Sequence, residues 1–138
     1  MSAPQKIDSY TVAKAIDIIE GTYDLMLGYA AQGRQREEDD PIGVRNSLRD
    51  SIAAIDILMA ATPDSLNATA GEAANAAAAM LEIMREDARK TSASFAFVLS
   101  QRSLSSQIID NLNASIHVRA LLTTLFLIDE TLNISQLG

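Results

Sequence analysis

Cysteine and tryptophan are missing from this chain altogether, and histidine occurs once, at position 117. Without cysteine there are no disulfides, no thiolate zinc sites and no cysteine nucleophile. A single histidine rules out a zinc centre built from imidazoles. It also rules out the di-metal carboxylate bundle, which needs Glu-x-x-His on two of its helices. Glycine-rich phosphate loops of the G-x-x-x-x-G-K-[ST] or G-x-G-x-x-G type are absent, as is a serine nucleophile elbow. The sequence therefore predicts no enzyme, no cofactor and no metal. Positive charge is scarce too: 11 Lys and Arg stand against 18 Asp and Glu, for a net charge of −7. Nucleic acid is a poor partner for such a surface, because phosphate binding needs concentrated basic charge. Long apolar runs are also lacking. The most apolar stretch, Ile116 to Ile128, contains His117 and Arg119 and falls short of the roughly 20 residues that span a bilayer. The N-terminal Met1-Ser-Ala-Pro-Gln-Lys6 has no apolar stretch of the signal-peptide type beside it. The expectation is a cytoplasmic protein, or one exported by a route that reads no cleaved signal.

What remains is apolar and aliphatic. Of 138 residues, 48% are hydrophobic but only 4% aromatic, so Ala, Leu and Ile must fill the core. That mixture suits close-packed helices better than sheets, where β-branched and aromatic residues prevail. The length fits one domain, residues 1–138. The spacing predicts an all-α fold, an up-and-down helical bundle of about four helices with a long apolar C-terminal helix.

The first helix is expected over Ser9–Gln32, capped by Asp8 or Ser9 and stopped by Gly33. Its polar stripe carries Lys14, Asp17, Glu20 and Asp24, with Gly21 and Gly28 at the edge. Each glycine costs about 1 kcal/mol in a helix, a cost that another backbone approaching there would offset. The run from Gly33 to Asp40 has no apolar residue and reads as a solvated connector. Asp40-Pro41 marks the second helix, whose apolar face is Val44, Leu48, Ile52, Ile55 and Met59. Thr69-Ala-Gly-Glu72 fits a capping box for the third. That helix is alanine-rich from Ala73 to Ala79 and carries a Glu86–Lys90 pair at i,i+4, with its end left open between Lys90 and Leu99.

The fourth helix is expected as one piece over Leu104–Ile134, with no Gly or Pro inside it. From Thr91 to Gly138 only Arg102, Asp110, Arg119, Asp129 and Glu130 are charged. A helix so apolar reads as enclosed on most sides. One face is Leu104, Ile108, Leu112, Ile116, Leu122 and Phe126. A second, Leu121, Leu125, Ile128 and Leu132, is assigned to an interface with another chain. Arg119 falls inside the apolar face and so predicts a buried ion pair with a carboxylate of another helix or subunit. Its alternative is a stem on the core with the head reaching water.

The function that follows is non-enzymatic association: a homo-oligomer, or a subunit or accessory factor of a larger assembly. Low-charge helices rich in Ser, Thr, Asn and Gln are similar in composition to those that pack in filaments and secretion-associated assemblies. Two alternatives come from other classes. His117, on a stripe with Asp110, Asn113 and Thr124, could accept a phosphoryl group. Its surroundings, however, are only distantly similar to the phospho-acceptor helices of histidine kinases. The other alternative is a small-molecule-binding bundle whose pocket is lined by Ala and Met.

Overall fold

A computed structural model describes residues 7–37 and 43–137, with side chains described as far as Leu132. The described residues are all-α and contain no strand. Five helices follow in order: α1 (Ser9–Ala30), α2 (Val44–Met59), α3 (Gly71–Leu99), α4 (Ser106–Ala114) and α5 (Ile116–Leu137). A 3-10 turn, Pro63–Leu66, joins α2 to α3. The count is five where the sequence predicts about four. The reason is a break at Ser115, and α5 is correspondingly shorter than a continuous C-terminal helix.

Local chemistry sets several of the ends. The Asp8 carboxylate accepts the Thr11 N–H at 2.8 Å, satisfying one free donor of the first turn of α1. Hydrogen bonding to Thr11 holds that carboxyl below its ordinary range. Asp40-Pro41 lies outside the described residues, and α2 starts after Gly43, which has φ +71°. The capping box expected at Thr69 does not form. Instead α3 starts after Ala70, with no side-chain cap. The box appears earlier, where the Thr62 N–H donates to Ser65 Oγ in the 3-10 turn.

Packing follows the apolar stripes. The end of α2 lies beside the start of α1, tied there by the Ser65 hydroxyl donating to the Ile7 carbonyl. Midway, Ser51 Oγ donates to Thr22 Oγ1 at 2.7 Å, and Thr22 donates to the carbonyls of Ile18 and Ser47. Arg45 at the start of α2 reaches the end of α3, and Arg85 of α3 donates to the carbonyls of Met59 and Ala61 at the end of α2. These two helices are therefore antiparallel. Thr91 Oγ1 donates to the His117 carbonyl at 3.0 Å, and Asp87 shares a depression with Thr123 and Thr124, so α5 runs back along α3. Tyr29 joins the C-terminal end of α1 to the start of α4, donating to the Leu104 carbonyl, while its own carbonyl accepts from Ser106 Oγ. One core runs through all five helices, with Ile16, Met26, Leu48, Leu58, Met84 and Phe95 among its fully enclosed members.

Candidate functional site

The bend at Ser115 decides where the sequence-predicted site residues lie. Ser115 is extended (φ −57°, ψ 131°), and α4 and α5 meet at 57°. A helix that breaks also resets its phase. Leu121, Leu125, Ile128 and Leu132, predicted as interface, are all buried within the chain's own core. This corrects that assignment: once α5 turns back along α3, its second apolar face is consumed internally. Ile116 and Phe126, members of the first apolar face of a helix expected to be enclosed on most sides, are instead exposed, Ile116 at 75%.

Arg119 is corrected in the same way. It is exposed on α5, and among the described residues it forms no ion pair. A guanidinium that the fold does pair, and engages most fully, is that of Arg45. Its Nε lies 2.9 Å from Glu37 Oε2, Nη1 donates to the Leu99 carbonyl and Nη2 to the Gln101 carbonyl. Glu37 also accepts the Leu104 N–H, while its own N–H donates to Ser103 Oγ. Glu37 of the charged connector is thus no free side chain but a clamp on the junction between α3 and α4.

His117 is exposed in the first turn of α5. The break takes it off the stripe it was predicted to share. Asp110 stays on α4, and Asn113 is buried with no hydrogen-bond partner for either amide atom. Gly21 and Gly28 face open space, with nothing within 4 Å of an added Cβ, so no backbone among the described residues approaches them.

Two arrangements escaped the sequence reading. The first is a carboxylate cluster where α5 crosses α1. Asp17, Glu20 and Asp129 each place an oxygen within 4.8 Å of the others. Burial raises the Glu20 carboxyl above its ordinary value, and Asp129, Asp17 and Asp24 push it further. Asp129 is raised by burial and then by Asp17 and Glu130. Glu20 Oε1 is enclosed and unpartnered. Three such oxygens could be bridged by a divalent cation, or eased by a proton. Asp17 and Glu20 were visible as a stripe. Asp129 joins them only through the crossing of two helices far apart in sequence.

The second arrangement is the outer surface of α3. From Gly71 to Met80 this helix has no fully buried residue, although six of the ten are alanine. Ile83 is half exposed, and Phe97 is 70% exposed beside a groove of about 470 Å³ lined by Ala93, Val98, Ile108 and Leu112. No methionine lines that groove, unlike the Ala- and Met-lined pocket of the small-molecule alternative. No single described helix is long and apolar enough to cross a membrane. The chain matches no protein-family model, and no curated protein or solved structure matches it.

Proposed function

We propose that this chain acts through protein–protein association, without catalysis, as a homo-oligomer or as a subunit or accessory factor of a larger assembly. The observation that carries this reading is the outward surface of α3. It combines an alanine-rich half that packs little of itself inward with Ile83 and Phe97 standing in solvent. Scattered exposed apolar residues are ordinary, but several aligned on one helix are the usual mark of a surface awaiting a partner. Alanine adds thinness, which lets another helix come close. The same reading takes α1, α2, α3 and the α4–α5 pair as the four members of an up-and-down bundle, the last one broken. Its association surface differs from the predicted one, moving from the inner leucines of α5 to the outer side of α3.

Light scattering across a concentration series tests the self-associating form. A mass rising from 14.8 kDa to a multiple of it is the expected result. A mass fixed at 14.8 kDa up to high concentration would remove it.

A further inference from the structure

The outward side of α3 has a regular order. Ala79, Ile83, Glu86, Lys90, Ala93 and Phe97 are spaced four, three, four, three and four. That is the heptad seam of a two-stranded coiled coil. All six are exposed, and the helix is held to the bundle by the opposite side, through Leu81, Met84, Ala88, Phe95 and Val98.

We infer that α3 is a self-complementary seam on which a second copy of this chain docks, α3 against α3 and antiparallel, with the two-fold axis at the level of Ala88. This rests on the association reading above and names its partner. Reversing the order of the seam about position 88 sets each residue opposite its match. Phe97 meets Ala79 of the second copy, Ile83 meets Ala93, and Glu86 meets Lys90. Every large side chain faces a small one, and every acid faces a base. That is how facing layers interdigitate without voids and how charge fixes register.

Alternative arrangements of the same two helices fail on the same residues. Parallel and in register, Glu86 would face Glu86 and Lys90 would face Lys90. Shifted by one heptad in one direction, Ile83 would sit on Glu86. In the other direction, Glu86 would sit on Phe97. Among these arrangements, only the register centred on Ala88 keeps the seam positions themselves free of facing like charges and of carboxylates set against apolar side chains. Two charged residues flank the seam near the axis. Arg89 lies beside its own twin but also within reach of Glu86 of the second copy. Asp87, half-buried, turns toward α5. Within one chain Glu86 and Lys90 already lie 3.9 Å apart, both well exposed, so the dimer re-pairs charges that are partly matched beforehand. From Ala79 to Phe97 the seam is about 27 Å long at 1.5 Å per residue.

The absence of cysteine makes the test clean. Ile83→Cys and Ala93→Cys proteins are oxidised separately and then as a mixture. Twins of either position are ten residues apart along the antiparallel axis, about 15 Å, far beyond the Cα separation of roughly 7 Å that a disulfide tolerates. The expected result is a covalent dimer from the mixture and none from either alone. In parallel, Glu86→Lys should weaken dimerisation at least about tenfold, since it opposes lysines on both sides of the axis. The exchange Glu86→Lys with Lys90→Glu should restore it, with the melting temperature of the monomer unchanged throughout. Covalent dimers from the single variants would show a parallel or different seam and overturn the inference. So would a wild-type dimer indifferent to Glu86→Lys, although association itself would then stand. A chain monomeric at every concentration would overturn the inference together with the self-associating form of the association reading.

Discussion

Charge is treated in opposite ways at two places in this all-helical fold. At the clamp, Glu37 and Arg45 are half-buried and fully engaged: the guanidinium meets the carboxylate and two carbonyls, and the carboxylate also takes a backbone N–H. At the crossing of α1 and α5, Asp17, Glu20 and Asp129 are gathered, and one Glu20 oxygen accepts no hydrogen bond among the described residues. Desolvation acts at both sites. It is compensated only where opposite charge and hydrogen bonds accompany it. The clamp should therefore stabilise the fold, and the cluster should cost it stability at neutral pH.

Removing the clamp gives the largest effect. Arg45→Ala strands the Glu37 carboxylate and leaves the carbonyls of Leu99 and Gln101 without their donor. Hydrogen bonds involving a charged group contribute about 1.5–3 kcal/mol each, and a stranded partner adds its own penalty. Partial exposure reduces the total, so a loss of about 2–3 kcal/mol is expected by urea unfolding. Glu37→Gln, which keeps a carbonyl acceptor, should lose less. If Arg45→Ala melts like the wild type, the clamp is incidental.

The cluster gives a smaller change of opposite sign. Glu20 and Asp129 have folded-state pKa values raised above their ordinary ones, so the folded chain holds these protons better than the unfolded chain does. What they contribute is fully present below the unfolded pKa, near 4, and is lost as pH rises through the raised folded values. Glu20→Gln combined with Asp129→Asn should therefore melt higher than wild type at pH 7, and the difference should shrink toward zero as the pH falls to about 4. Equal melting temperatures at pH 7 would mean that the repulsion is absorbed elsewhere.

The same contrast shows how far the sequence could be read. The Asp8 cap, the start of α1, the core stripe of α2 and the Glu86–Lys90 pair were legible, because each depends on neighbours within a turn or so of helix. The end of α3 was not, because its Ser- and Thr-rich stretch looks like a junction. In the fold Thr91 is buried and donates its hydroxyl to the first turn of α5. The break at Ser115 was invisible, having neither Gly nor Pro to mark it. Projecting one helix through it carried the wrong phase onward. That single error joined Ile116 and Phe126 to one apolar face with Leu112, put Arg119 in a buried pair, and sent the inner leucines of α5 to an interface. Glu37 shows the complementary failure: nothing local distinguishes a solvated acid from one that a distant arginine will clamp.

Arg119 provides the smallest effect and the sharpest control on the comparison. It carries the same guanidinium as Arg45, but it stands in water on the outer side of α5. Among the described residues no carboxylate would be stranded by its loss, and no carbonyl relies on its side chain for a donor. Exposed ion pairs contribute at most about 1 kcal/mol, and among the described residues Arg119 forms none. Arg119→Ala should change unfolding stability by no more than about 0.5 kcal/mol, as surface substitutions generally do. Measured beside Arg45→Ala, it separates what a guanidinium contributes through its partners from what it contributes by merely being present. A loss at Arg119 as large as the loss at Arg45 would mean that its long stem covers core surface, and the contrast between engaged and solvated charge would then not account for the difference between the two sites.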